Sequence, residues 1–243
     1  MARRRFFVDR VYEGRAELAG EEARHLSRVL RASPGQRYEI SDNQALYLAE
    51  ITEVSAQRVV FRMVEPLEFA ESPVEITLLA ALIKFDRFEW IVEKATELGV
   101  AKIVPMDCER SDKGLAQAAE KRRERWQRVA RESSQQSRRV HLPEIAAPAA
   151  FKQAIAQPAT HRFALEELPG APPLLNATLA IERRAGDTVA LAVGPEGGWT
   201  DEERSQLAHA GFTAVSAGFR IMRTETAAVS ALAVLANAWL CAD

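Results

Sequence analysis

The sequence predicts an α/β protein in which a small, mostly β unit precedes a larger unit built on a parallel sheet. Three observations carry this. Up to about residue 68, short apolar runs are separated by turn signals at Pro34-Gly35 and Asp42-Asn43. From Val74 onward, strand-like apolar runs alternate with helical periods, the pattern of a parallel sheet covered by helices. Two glycine-punctuated strings, Leu191 to Thr200 and Ala217 to Ala228, each follow such a strand and open a helix. Both therefore belong at the carboxyl edge of one sheet, where open α/β sheets bind ligands.

In order, the first unit reads as Phe6-Phe7-Val8, a helix near Glu21 to Arg31, and strands at Arg37 to Ser41, Ala45 to Val54 and Arg58 to Val64, which together suggest a small β barrel. Glu65 to Pro73, with two prolines, reads as a linker. This divides the chain into residues 1 to 68 and 74 to 243. Strands follow at Val74 to Leu82, Ile103 to Pro105, Arg162 to Leu165, Thr188 to Val193 and Thr213 to Val215. Helices fall near Arg87 to Leu98, Ala116 to Ser134, Pro148 to Ile155, Asp201 to Ala210 and Thr224 to Leu240. There is no internal repeat.

With 243 residues and 47% hydrophobic content, the chain has ample material for packed cores. No apolar run approaches the roughly twenty residues of a membrane span. The basic opening runs straight into Asp9-Arg10 without a signal-like apolar stretch. Cys108 and Cys241 make neither a disulfide framework nor a metal knuckle. A cytosolic, metal-free protein is expected.

The formal charge of -2 conceals a segregation along the chain. Residues 1 to 37 carry nine arginines, Arg3 among them, against five acids, and residues 121 to 139 carry eight basic side chains against Glu124 and Glu132. The rest must be strongly acidic. Basic segments on an acidic body are the footprint of a polyanion binder, although a long exposed helix is often basic on one face for solubility alone. Arginine dominates both segments, which suits phosphate forks and stacking on unpaired bases.

The first glycine string is no phosphate-binding loop. Gly194-Pro195-Glu196-Gly197-Gly198 lacks the Lys-Ser/Thr that grips a terminal phosphate, and it does not match Gly-x-Gly-x-x-Gly. Without further information it is a strand, a sharp turn and a helix capped by Thr200 with Glu203. The second string sets Arg220, Arg223 and Glu225 at the entrance of an apolar helix that Thr224 is placed to cap. Charges beside buried surface need partners, so this string calls for more than a structural explanation. The four histidines, His25, His141, His161 and His209, have no partners at catalytic spacing and read as surface or packing residues.

The pair Gly194-Pro-Glu-Gly-Gly198 and Arg220-Ile-Met-Arg-Thr-Glu-Thr-Ala227 resembles the RsmE family, the 16S ribosomal RNA uracil-N3 methyltransferases of the knotted SPOUT superfamily. The likeness runs through Ile91 to Gly99, Glu109-Arg110-Ser111, Gln136-Ser137-Arg138-Arg139, and His25 to Arg31 followed by Pro34-Gly35. Ala217 and Met222 stand where the family usually has leucine, Gln135 where glutamate is common, and Asn43 where glycine is common.

The resemblance implies a PUA-like β-barrel domain ahead of a SPOUT α/β domain with a deep trefoil knot. It implies S-adenosyl-L-methionine as cofactor, 16S rRNA of the small ribosomal subunit as substrate with the family's m3U1498 as product, and a homodimer acting in the cytoplasm. Cofactor contacts would fall to Leu165, Gly194, Pro195, Glu196, Gly197, Gly198, Ala217, Gly218, Ile221, Met222, Arg223 and Thr226. RNA contacts would fall to Arg10, Arg28, Arg31, Lys84 and Arg139, and catalytic work to Arg223, Arg10, Glu196 and Glu225, with no choice between a base and an orienting role for the glutamates. Two rivals stand beside this. Knotted ribose 2′-O-methyltransferases share the glycine-rich motif but carry Ser-Leu-Asn where this chain has Arg-Thr-Glu-Thr, and a non-catalytic RNA-binding assembly factor would retain the fold without the charged motif residues.

Overall fold

The computed structural model describes residues 4–241, so Arg3 lies outside the described residues. The chain divides into two compact units, residues 1–71 with 134–142 and residues 72–133 with 143–243.

The first unit contains β1 (Arg5–Phe7), β2 (Arg15–Ala19), α1 (Gly20–Arg24), β3 (Arg37–Ser41), β4 (Leu46–Val54) and β5 (Arg58–Leu67). These strands form one sheet in the order β1-β3-β4-β5-β2, antiparallel except for the β1–β3 pair. Its alternating residues Phe6, Leu18, Ile40, Ile51 and Phe61 bury against Ala23 and Leu26. By its pairing the expected barrel is a five-stranded sheet with β1 and β2 at its edges.

Three expectations shift here. β2 was not foreseen, because Arg15-Ala-Glu-Leu-Ala19 offers only two apolar residues to the core face. The helix ends early: after α1 it widens into a π-type turn, His25–Val29, and Arg31 sits beyond it with φ 51. Arg28 and Arg31 therefore do not share a helical ridge. Pro66 belongs to β5 rather than to a linker, paired opposite Tyr47. Proline is tolerated there because β2 covers only Arg58 to Arg62, leaving the last residues of β5 at an edge.

The return of residues 134–142 to the first unit cuts across the boundary read from sequence, and a buried charge cluster explains it. Glu39 is 8% exposed and accepts from Arg5 Nη2 at 2.8 Å and from Arg138 Nη2 at 2.6 Å. Arg5 also donates to the carbonyl of Arg138, and Ser41 Oγ donates to the carbonyl of Val140 at 2.7 Å. None of these partners is close in sequence.

The second unit contains β6 (Val74–Ala81), α2 (Phe85–Glu97), β7 (Lys102–Asp107), most of α3 (Leu115–Gln136), β8 (Glu144–Ile145), β9 (Ala149–Ala150), α4 (Phe151–Ile155), β10 (His161–Leu165), α5 (Leu174–Leu179), β11 (Asp187–Val193), α6 (Asp201–His209), β12 (Thr213–Val215) and α7 (Thr224–Leu240). The strand order is β12-β10-β11-β6-β7-β8, with β9 also on β7, and every pairing is parallel. Alternation sorts the side chains between two faces. Ile76, Leu78 and Ala80 of β6 and Val189, Leu191 and Val193 of β11 pack with α2, Trp126 and α7, whereas Leu79, Ala81, Ala190 and Ala192 pack with Phe151, Trp199 and Leu207. The helix expected from Pro148 starts at Phe151, since Ala149-Ala150 pairs with β7. The short elements β8 and α5 were not foreseen. Among the described residues no helix is long and apolar enough to cross a membrane.

The Glu39 cluster yields a pH-dependent prediction. Burial works to raise the Glu39 carboxyl, and hydrogen bonds from Arg138 and Arg5 overcome it, holding the group below its ordinary value. A depressed folded-state pKa adds stability above the unfolded value and loses it as pH falls through the folded one. Glu39→Gln should cost about 3 kcal/mol near neutrality, because buried Arg5 is left without its counter-ion. It should also flatten the acid side of the stability curve. Urea unfolding of both proteins from about pH 6 to pH 3 tests this, and parallel curves would refute it.

Candidate functional site

The register of the parallel strands brings three loops to one level. Ala164 of β10 lies opposite Ala192 of β11, Leu165 opposite Val215 of β12, and Val193 opposite Ala80 of β6. The segments that follow β10, β11 and β12 surround a cavity of about 440 Å³, closed by Thr224 and Ala227 of α7.

The loop after β11 is a tight turn. Gly198 N donates to Pro195 O at 2.9 Å, and Gly198 adopts φ 66, a left-handed backbone that glycine takes without steric cost. Space is also short, since a Cβ on Gly198 would stand 2.3 Å from Glu167 Oε1. A Cβ on Gly194 would stand 3.1 Å from the Trp199 ring, which is buried and donates its indole N–H to Leu165 O at 2.7 Å. Helix α6 then starts with the expected capping box: Thr200 Oγ1 accepts from Glu203 N at 3.2 Å, and Glu203 Oε2 accepts from Thr200 N at 2.9 Å.

The loop after β10 is ordered by a carboxylate. Glu166 accepts from Arg204 Nε at 2.7 Å, from Glu167 N at 2.9 Å and from Leu168 N at 3.2 Å. Burial works to raise its pKa, and these donors hold it below the usual value. Ser216, at the start of the third loop, donates to Pro172 O at 2.8 Å and accepts from Leu174 N at 2.9 Å, fastening the first loop to the third.

The charges of the second string are distributed unequally. Glu225 has one oxygen 4.0 Å from Arg87 Nε, while its Oε2 is buried with no hydrogen-bond partner among the described residues. Arg87 also donates to Glu196 Oε1 at 3.0 Å, so one guanidinium of α2 faces both motif carboxylates. Arg220 and Arg223 are exposed, Arg220 lying 5.9 Å over the Phe219 ring. Phe219 and Ile221 are 97% and 82% exposed, apolar surface offered at the mouth of the cavity.

Residues 70–236 match the model of an RNA methyltransferase domain, and residues 18–64 match that of an RNA methyltransferase PUA domain. Ribosomal RNA small subunit methyltransferase E of Synechocystis is 34% identical over 93% of this chain and 74% of its own length. Its counterpart in Bacillus subtilis is 31% identical over 90% and 88%. The chain belongs to the ribosomal RNA small subunit methyltransferase E family. The family enzyme of Neisseria gonorrhoeae, solved with bound S-adenosyl methionine, superposes with a TM-score of 0.85 at 30% identity, covering 96% of this chain and 97% of that one. A Legionella pneumophila protein solved with the cofactor SAM superposes with a TM-score of 0.82 at 30% identity over 97% of each chain.

Of the family-type cofactor positions, Leu165, Gly194, Pro195, Gly198, Ala217, Gly218, Ile221 and Met222 line the cavity. Glu196, Gly197, Arg223 and Thr226 do not. Glu196 and Gly197 are the two central residues of the turn and face away, toward Arg87 and Arg110. Arg223, rather than Thr224, is the N-cap of α7, with no side-chain cap, and Thr224 is a buried first-turn residue.

Lys84 is the exposed residue preceding α2. Arg10, Arg28 and Arg31 are exposed in the first unit, Arg10 lying 5.9 Å over the Tyr12 ring. Arg139 is partly buried and donates to His141 O, and burial pushes its guanidinium down to about 10, still charged at neutral pH. None of the four histidines lines the cavity. The segment Glu166 to Ala171 was missed, because its ordering partner Arg204 is remote in sequence and it carries no glycine-rich signature.

The turn geometry makes Gly198→Val informative. An L-residue in the left-handed region costs roughly 1–2 kcal/mol, and the new side chain must also displace the Glu167 carboxylate. We expect a cooperative urea transition with stability lowered by at least that amount, and an unchanged midpoint would remove the strain argument.

Proposed function

We propose that the protein transfers a methyl group from S-adenosylmethionine to uracil N3 of small-subunit 16S rRNA, at the family site m3U1498, working in the cytoplasm. The observation that carries this is the cavity walled by both glycine motifs. Its volume, about 440 Å³, lies within the range of roughly 300–1,000 Å³ typical of small-molecule sites. Its chemistry fits the cofactor as well. Leu165, Val193, Ala217 and Met222 offer apolar walls, and Gly194 and Gly198 let backbone approach a ligand closely. When bound, S-adenosylmethionine supplies a methyl group already activated on a positively charged sulfur.

The remaining work falls to the chain. Uracil N3 becomes a nucleophile only as its proton leaves, so the protein must favour negative charge on the base and exclude water. Arg223 lies between the lining residues Met222 and Thr224 and is exposed, available to the uracil oxygens. Arg10 is a second candidate. Glu196 and Glu225 act as orienting carboxylates, since both face Arg87. The first unit, with Arg10, Arg28, Arg31 and Arg139, takes up RNA, and Lys84 of the second unit is a further RNA-contacting residue.

The family fold also implies a deep trefoil knot in the second unit, a reading supported by the Ser216 bonds that fasten the β12 loop to residues 172–174 and by the packing of α7 on α2 and α5. The partly exposed small residues of α7 support a homodimer.

Mass mapping of 16S rRNA treated with the purified protein and labelled cofactor tests activity, base and position together. We expect one added methyl on a uracil. Light scattering at micromolar protein should give the mass of a dimer, and an active monomer would overturn that assignment.

The arginines should fail in different ways. Neutralising Arg28 and Arg31 together should weaken RNA binding and flatten the log–log salt dependence by about 0.9 or less per lost phosphate contact. Arg223→Ala should instead lower the single-turnover rate at saturating RNA with little change in that slope. If Arg223→Ala reaches the wild-type rate once RNA is saturating, its role is binding and not catalysis.

A further inference from the structure

We propose that Arg110 is a positioning residue for the cofactor loop, an inference resting on the reading that the cavity takes S-adenosylmethionine. Arg110 follows β7 and does not line the cavity. Its Nη1 donates to Gly197 O at 2.8 Å and to Trp199 O at 3.1 Å, the carbonyls of the two residues that flank Gly198.

The consequence is clearest at the peptide unit joining Gly197 to Gly198. Its carbonyl accepts from Arg110 and its N–H donates to Pro195 O at 2.9 Å, so both ends of one peptide plane are tied. That plane delivers Gly198, with its left-handed backbone, to the cavity wall. The neighbouring segment is fixed too. Glu109 N donates to Glu203 Oε1 at 2.9 Å, while the other oxygen of Glu203 closes the capping box of α6.

The same contact gives the two glycines different reasons. Gly198 is needed for its own backbone conformation. Gly197 is needed for Arg110: a Cβ there would stand 3.1 Å from Arg110 Cβ. A charged donor shared between two carbonyls suits a guanidinium, whereas a lysine ammonium on a flexible stem holds the same pair less firmly.

The test is a double-mutant cycle read by cofactor affinity and by steady-state kinetics. Arg110→Ala should weaken S-adenosylmethionine binding about tenfold, with kcat at saturating cofactor and KM for RNA nearly unchanged. Arg110→Lys should recover part of the loss. Gly197→Ala should weaken the cofactor in the wild-type background and cost much less in an Arg110→Gly background, because the Cβ that it crowds is gone. Wild-type affinity in Arg110→Ala, or an equal penalty for Gly197→Ala in both backgrounds, would overturn the proposal. So would a kcat that falls in step with affinity, which marks general loss of structure. If the wild-type protein itself takes up no S-adenosylmethionine, the reading of the cavity fails, a result separable from variants that match a binding wild type.

Discussion

Everything at the site depends on the alignment of the parallel strands. Because β6, β10, β11 and β12 run the same way and end at matched levels, the chain must leave the sheet at one edge each time. A parallel strand cannot return by a hairpin; it needs a crossover, and the crossovers here put helices on both faces. Burial on both sides fixes the register, since a shift of one residue would exchange the Val189, Leu191 and Val193 face of β11 with the Ala190 and Ala192 face. The alanine face leaves room for Trp199, whose ring fills the space beside Gly194. The strand pattern and the loop that follows it are therefore one packing solution.

Within that frame, polar groups set the shape of the loops. Glu166 gathers the first loop, Arg110 and the capping box hold the second, and Ser216 ties the third to the first. Most of these bonds end on backbone atoms. That choice matters, because a backbone contact fixes peptide planes, and peptide planes decide what a ligand meets when the lining contains glycines at 194, 198 and 218.

The strongly periodic parts of this architecture were legible in the sequence. β3, β11 and β12, the Thr200 cap and the apolar helix α7 fall within a residue or two of where alternation and cap chemistry put them. The losses share a cause. β2, β8, β9 and α5 are too short to show a period, and their existence depends on partners far along the chain. The return of residues 134–142 turns on Glu39, an ordinary strand residue in the sequence whose importance appears only when Arg5 and Arg138 meet it. At the site, glycine spacing pointed to the second and third loops but not to the first, where a lone Pro169-Gly170 turn stands beside the charge pair of Glu166 and Arg204. The expectation that charges at the mouth of α7 need partners is met by one oxygen of Glu225, which faces Arg87, and does not apply to Arg220 and Arg223, which are exposed to solvent.

Charge counting is the place where the sequence misleads most. The segment 121–139 carries eight basic residues, yet part of that charge is paired with carboxylates and other side chains of the segment are held by carbonyls or a ring. Arg125 is paired with Glu89, Arg138 with Glu39, Arg123 donates to Ile145 O, Arg139 to His141 O, and Arg122 lies over Phe85. An arginine whose charge is compensated at 2.6 Å contributes little field at the distance of a phosphate, and ionic screening removes most of the remainder. The first unit spends Arg5 and Arg37 in the same way, on Glu39 and Glu50, but leaves Arg28 and Arg31 exposed. The electrostatic case for a polyanion partner therefore rests on the arginines without a carboxylate partner, and the bare count of basic residues in either segment overstates it. Arg28 and Arg31 lie within or just beyond a short helix of the first unit, whereas every residue lining the cavity described above belongs to the second.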